Sequence, residues 1–305
     1  MNIKVEVSVL INAFDVLKEL IEKHYPYAHV VVEGNKMKLS VTDMTSTAST
    51  SIRVSAEGET EFDVDVTLLL QILKNTSDDF VSFDVAETLK VNTRVNSFEF
   101  AHPESILKFT PDDANQTAMY SMSKDSLVET IENLSEFGKS NLNPVNAMHF
   151  EFREGYMFAE NTDSHCYASY KADVDEDAPS EFVLSQPHAK KLLRALKKSE
   201  DEVVEIKVLG TKGVLFLVDG YTIYLRSVNM IYPNVEKQLV APKTIVNVVT
   251  DEFVEALKQL DLIQKINNET AVAMESLDEK LKLTFAGFGQ RGSAVIPADI
   301  DGDAF

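Results

Sequence analysis

Cysteine occurs once in the 305 residues, as Cys166, which excludes an intrachain disulfide framework and fits a reducing cytoplasm. No apolar run approaches the ~20 residues that a membrane span needs. The N-terminus, MNIKVEVSVLINAF, lacks the charged start, long apolar core and small-residue cleavage site of a signal peptide. A cytoplasmic protein with no membrane association is therefore expected. The six histidines show no His-x-x-x-His spacing and the lone cysteine no Cys-x-x-Cys, so neither a metal site nor a cofactor is expected. Basic residues are scarce: 29 Lys and Arg stand against 49 Asp and Glu, a formal charge of −20. Such a chain does not coat nucleic acid with its whole surface, but it can meet a polyanion through one restricted basic zone. Hydrophobic residues make up 44% and charged residues 26%, the balance of a soluble globular protein rather than a disordered one.

Three stretches imitate chemistry without completing it. Asp163, His165 and Cys166 lie close together, yet no second histidine or oxyanion element accompanies them, so no catalytic residue is assigned and no enzymatic activity is expected. Gly287 to Gly292, GFGQRG, lies between two strand-like runs and lacks a following helix and a Lys-Ser/Thr pair, so it reads as a turn, not a phosphate loop. Asp299, Asp301 and Asp303 alternate like part of a calcium loop, but no Glu ligand or flanking helix follows, and a frayed acidic tail is expected.

The restricted basic zone is Gln186 to Ser199, QPHAKKLLRALKKS. At about 100° per residue, Lys190, Lys191, Arg194, Lys197 and Lys198 fall within an arc of roughly 120° on a helix, with Ala189, Leu192, Leu193 and Leu196 opposite. A solvated surface helix would show the same pattern. In an acidic chain, one concentrated basic face also suggests an anionic partner.

The organisation around this helix is repetitive. A strand over Val5–Val9 leads into a helix on Leu10, Phe14, Leu17, Leu20 and Ile21, running to about His24 with Ser8 as its N-cap. Strands at 28–33, 36–41 and 51–56 complete a βαβββ unit, its hairpin turning at Gly34-Asn35. The order recurs from Glu61, with a helix over Thr67–Lys74, and from Met119, with a helix that Ser123 caps and that runs to about Lys139. A fourth pass from Glu181 contains the basic helix, and a fifth from Ile245 has a helix over Thr250–Ile266. Thr42-Asp43 recurs as Thr162-Asp163 and Glu61-Phe62 as Glu181-Phe182, both at an offset of 120. Pairs of units thus make domains of about 120 residues: 1–115, 116–238, and 239–305 as the first half of a third. The class is α+β, because each unit buries one helix face and one sheet face against its neighbour.

Asn161 to Ala168, NTDSHCYA, resembles the TDGHRLA signature of the bacterial DNA polymerase III β subunit, the sliding clamp. SEFVLSQPHAKKLLRALKK is similar to the family's strand and helix opening a second half-domain. VDGYTIYLRSVNMIYPNVEK is similar to its stretch ending in FPDY, with Tyr232-Pro233-Asn234 for Phe-Pro-Asp, and IKVEVSVLINAFDVLKEL to its first strand and helix. The resemblance covers essentially the whole chain.

That resemblance implies the DNA-clamp fold: repeated βαβββ units in an arc or closed ring, sheets outside and helices lining a central hole. The implied function is a processivity factor in DNA replication that encircles duplex DNA without sequence preference and tethers a replicative polymerase. Its partners would be duplex DNA, and the polymerase and clamp loader through short peptide motifs, with a homo-oligomeric ring, a dimer in the family. Lys190, Lys191, Arg194, Lys197 and Lys198 are the first candidates for DNA contact, and Lys18, Lys23, Lys74 and Lys139 on other helices the next. The family's partner-peptide cleft maps onto Val145, Thr162, Ser164, His165, Cys166, Tyr167, Pro233, Lys237 and Gln238. Ser164 stands there for Gly, Cys166 for Arg, Tyr167 for Leu and Gln238 for an apolar residue. The sequence ends at Phe305, where the family continues into a last half-domain, so the far wall of the cleft is expected to be missing. Five units do not divide the family's twelve. A clamp-fold interaction module or inhibitor that closes no ring is therefore the alternative, with oligomeric state as the discriminating observation.

Overall fold

The computed structural model describes residues 1–22, 25–103, 106–137, 146–163, 166–176, 178–235, 239–267, 271–287 and 290–305. The βαβββ order recurs five times. The first pass is β1 (Asn2–Glu6), α1 (Val7–Leu17), β2 (Tyr27–Glu33), β3 (Lys36–Thr42) and β4 (Ser46–Arg53), with the short β5 (Ser55–Ala56) continuing β4. The second is β6 (Glu59–Asp65), α2 (Val66–Lys74), β7 (Phe80–Val85), β8 (Leu89–Asn92) and β9 (Ser97–Phe100). The third is β10 (Ala118–Ser123), α3 (Lys124–Ser135), β11 (Ala147–Arg153), β12 (Tyr156–Thr162) and β13 (Tyr167–Asp173). The fourth is β14 (Ser180–Ser185), α4 (Gln186–Leu196), β15 (Val203–Val208), β16 (Gly213–Val218) and β17 (Tyr221–Arg226). The fifth is β18 (Thr244–Val248), α5 (Thr250–Asn267), β19 (Ala273–Leu277), β20 (Lys280–Gly287) and β21 (Gln290–Gly302).

Two compact units result, residues 1–233 and 234–305. In the first, each helix begins where an alternating strand ends, and buries its apolar stripe against its own sheet and a neighbouring helix. Leu10, Phe14 and Leu17 of α1, Leu69 and Leu73 of α2, Leu127 and Ile131 of α3, and Leu192 and Leu196 of α4 join one continuous core. Helices α1 and α2 pack together, as do α3 and α4. Three antiparallel sheets cover them, in the orders β5-β1-β7-β8-β9, β10-β15-β16-β17-β4-β3-β2-β6 and β13-β12-β11-β14. The eight-stranded sheet crosses from the fourth repeat to the first through β17 and β4, registered Leu225 to Ser46 and Thr222 to Ser49. The hairpin turns Glu154-Gly155 and Asp219-Gly220 hold both residues at positive φ, the left-handed pair that a two-residue hairpin requires.

Helix α1 departs from the sequence expectation at both ends. It starts at Val7, with Glu6 rather than Ser8 in the cap position, and ends at Leu17 rather than near residue 24. The Ser8 hydroxyl donates to the Glu6 carboxylate at 2.5 Å instead of accepting from a helix amide. Ser123 does cap α3, its Oγ accepting from Ser126 N, but that helix stops at Ser135.

The second unit is a four-stranded sheet, β18-β21-β20-β19, with a core of Ala256, Leu260, Leu281, Leu283, Phe285, Ile296 and Ala298. Asp299 and Asp301 are not in a frayed tail. Both belong to β21, paired with Asn247 and Ile245 of β18. The alternation read as a calcium-like pattern is a strand pattern: Ile296, Ala298 and Ile300 pack inward and the aspartates point out. Among the described residues no helix is long and apolar enough to cross a membrane.

Candidate nucleic-acid interface

Helix α4 forms for local reasons. The Ser185 hydroxyl accepts from His188 N at 3.3 Å, Pro187 occupies the first turn, and leucines and alanines recur at helical spacing. Ala189, Leu192, Ala195 and Leu196 are fully buried, and Leu193 is partly so.

The basic face is not uniform. Lys191, expected in the solvent-facing stripe, is only 5% exposed. It lies at the margin of the cationic arc, and there the region just after α1 covers the flank of α4. Its Nζ lies 2.6 Å from Asp43 Oδ2 and 2.7 Å from Glu22 Oε1, and donates to Leu20 O and Ser46 Oγ at 3.2 and 3.3 Å. Every N–H of this ammonium has a partner within the chain, so the assignment of Lys191 to DNA contact is corrected to a buried tie between the fourth and first repeats. Burial pushes the Asp43 carboxyl up. The Lys191 ammonium, the Thr45 hydroxyl and the amides of Ser46 and Thr45 outweigh it and hold the group well below the carboxylate range. His188 donates to or accepts from Thr45 Oγ1 at 3.2 Å, and burial together with the nearby Lys191 charge pushes its pKa down.

Other cations of the stripe are exposed but shared with carboxylates. Arg194 Nε lies 2.8 Å from Glu19 Oε2, and Lys198 Nζ 2.6 Å from Glu19 Oε1 and 2.7 Å from Asp15 O. Lys197 pairs with Glu132 of α3. Lys190 alone is exposed with no ion pair among the described residues. Of the second group, Lys18 and Lys74 both bind Asp15, while Lys23 and Lys139 lie outside the described residues. Burial raises the Glu19 and Asp15 carboxyls, but their cationic partners outweigh it and keep both low, so these acids stay ionised beside the stripe. Sequence reasoning missed these partners. The i, i+4 spacing of Asp15 and Glu19 puts both acids on one face of the first helical segment, and that was the available signal.

The second candidate site is the turn after β12. Thr162 Oγ1 donates to Cys166 O at 2.7 Å, and Asp163 Oδ1 accepts from Cys166 N at 2.7 Å. The same turn stands 120 residues earlier, where Thr42 Oγ1 donates to Ser46 O at 3.1 Å and Asp43 Oδ1 accepts from Ser46 N at 2.6 Å. Thr and Asp therefore recur because they close this turn. Cys166 is exposed, Tyr167 is half-buried with its hydroxyl donating to Glu160 Oε2 at 3.0 Å, and Pro233 is half-buried at the end of the stretch after β17. Val145, Ser164, His165, Lys237 and Gln238 lie outside the described residues.

No family model matches the chain, and no curated protein matches it. Solved structures do. A DNA polymerase sliding clamp from Bacillus subtilis superimposes with a TM-score of 0.90 at 16% identity, over 100% of this chain and 86% of that one. The DNA polymerase III subunit beta of Pseudomonas aeruginosa gives 0.87 at 18% identity, over 100% and 86%. DNA polymerase III, beta subunit, from Thermotoga maritima gives 0.87 at 15% identity, over 99% and 85%. The chain has the fold of these proteins, over its whole length.

Proposed function

We propose that this protein is a sliding clamp: a non-enzymatic processivity factor of DNA replication in the cytoplasm that encircles duplex DNA and tethers a polymerase. One observation carries this reading. The βαβββ repeat, legible in the sequence, runs through the whole chain in the fold shared with a DNA polymerase sliding clamp and a DNA polymerase III subunit beta. On this reading the chain assembles into a ring with further copies, and polymerase and clamp loader dock through short peptide motifs near Thr162, Cys166, Tyr167 and Pro233. Lys190, Arg194, Lys197 and Lys198 are the proposed phosphate-facing groups. Three of these four already share carboxylates, so each of those three contacts with DNA exchanges one anion for another and costs little to break. Weak, exchangeable, sequence-independent contacts suit sliding.

Retention on DNA tests the reading. Assembled on nicked circular DNA with a loader, the protein should stay on the circle through gel filtration and be lost once the circle is cut. Equal retention on circular and linear DNA, or none on either, overturns it.

A further inference from the structure

Strands β11, β12 and β14 place a histidine between two carboxylates. His149 of β11 is 9% exposed, with Nδ1 2.8 Å from Glu160 Oε1 of β12 and Nε2 3.1 Å from Glu181 Oε2 of β14. A carboxylate offers only acceptors, so the doubly protonated imidazolium alone supplies an N–H to each. The other Glu160 oxygen accepts from the Tyr167 hydroxyl of β13, which fixes that carboxylate toward the ring.

Tyr232 covers the remaining face. Its ring stacks on the imidazole with centroids 5.0 Å apart and planes at 22°, the arrangement in which a cation gains from an aromatic face. Tyr232 belongs to the connector that follows β17. This segment first runs along the edge of β14, where Val228 N donates to Val183 O at 2.8 Å and Val183 N donates to Ser227 Oγ at 3.2 Å. It then ends on His149, with only Pro233 between Tyr232 and the start of the second compact unit. The Tyr232 hydroxyl donates over long distances, 3.4 Å to Ala147 O and 3.5 Å to Glu160 O, and accepts from the Thr162 amide, so the stacked ring acts beside these contacts.

We propose that His149 is a proton-operated latch: as the imidazolium it holds Tyr232, and with it the 227–233 connector, against the sheet of the second domain, and as neutral imidazole it releases them. Deprotonation removes one N–H, turns one carboxylate toward a ring lone pair and ends the cation–aromatic attraction. The groups facing the ring are Glu160, Glu181 and the phenols of Tyr167 and Tyr232. Burial pushes His149 down, but the two carboxylates outweigh it and the pKa is raised above 6.5. The latch is thus closed below the ordinary value of 6.5 and opens as pH rises through the raised one. It is independent of ring formation on DNA.

Hydrogen exchange of the 305-residue chain between about pH 5.5 and 9, corrected for intrinsic chemistry, tests it. Protection of the amides of residues 227–232 should be lost across one titration step above the ordinary imidazole value. The His149 ring resonances should titrate at the same midpoint in the unaltered protein. His149→Gln should remove the step. Glu181→Gln, at a side chain 73% exposed and so harmless to folding, should move it to lower pH. Protection that does not change with pH, a step persisting in His149→Gln, or ring and exchange midpoints a full unit apart would each overturn the latch. DNA retention is not among the readouts, so failure of the clamp reading leaves this test intact.

Discussion

The ammonium of Lys191 in α4 lies 2.6 Å from the Asp43 carboxylate in the turn between β3 and β4, a contact spanning 148 residues of sequence. The same two repeats meet in the ladder between β17 and β4, where Leu225 faces Ser46. Ser46 serves both: its backbone enters the ladder, its amide donates to Asp43, and its Oγ accepts from Lys191. The junction is therefore closed by strand pairing and by a buried ion pair that share one turn.

Removing Lys191 should be costly. Lys191→Ala would leave Asp43 part-buried without its cation, and breaking a buried pair on one side costs about 3–5 kcal/mol. Replacing both partners, with Lys191→Met and Asp43→Asn, should recover most of that. Urea unfolding followed by probes within residues 1–233 measures both. A loss below about 1 kcal/mol for the single variant would mean the pair is not the tie described here.

Acid should act on the same contact. Asp43 is held below its ordinary value of 3.8, so its stabilisation is complete above that pH and is lost as pH falls toward the depressed value. Melting of the first unit should decline more steeply below about pH 4 in the parent than in Asp43→Asn, which has no carboxylate to protonate. Identical acid profiles would contradict the assignment.

The five-fold repeat was legible because each pass announces itself twice, as a period of two in the strands and of 3.6 in the helix, at a near-constant offset. What single elements cannot show is who stands beside them. Helical geometry put Lys191 with Lys190 and Arg194, and only the first repeat, at Leu20, Glu22, Asp43 and Ser46, turns that flank inward. The acids that occupy Arg194 and Lys198 are equally remote in sequence, with Glu19 some 175 and 179 residues away. His149 escaped notice for the same reason. Its carboxylates come from two other strands and its aromatic cover from the connector. The acidic alternation at Asp299 and Asp301 reads as a frayed tail until β18 is seen to pair with it, because the partner strand, at Asn247, lies 52 residues from Asp299 in sequence.

Asn161 offers a prediction about the end of α3. It is fully buried, and its Nδ2 donates to Leu134 O at 2.8 Å and Phe137 O at 2.9 Å, satisfying carbonyls that the helix end leaves open. Asn161→Ala would remove both bonds while leaving Leu134 O with Phe137 N and Phe137 O with Gln186 Nε2, and should cost about 0.5–1.5 kcal/mol, while Asn161→Asp should cost more by setting a carboxylate against two carbonyls. Thermal melts of both variants check this. Unchanged stability in the alanine variant would remove Asn161 from the capping role.

The stripe on α4 separates two contributions that a single charge-reversal set would merge. Lys190 is exposed and unpaired among the described residues, whereas Lys191 is sealed in the junction. Lys190→Glu should therefore leave the unfolding midpoint within about 0.5 kcal/mol of the parent. If the residue faces phosphate, the slope of log affinity for duplex DNA against log salt should become shallower by about one unit. Arg194→Glu and Lys197→Glu should weaken binding less per charge, because each cation is already partly neutralised in the parent by Glu19 or Glu132. Lys191→Glu should lose DNA only by losing the fold, with exchange protection falling at Asp43 and Ser46 together. Salt titrations of loader-independent binding, run beside denaturation of each variant, distinguish these outcomes. Equal salt slopes for Lys190→Glu and the parent would take α4 out of the proposed DNA-facing surface.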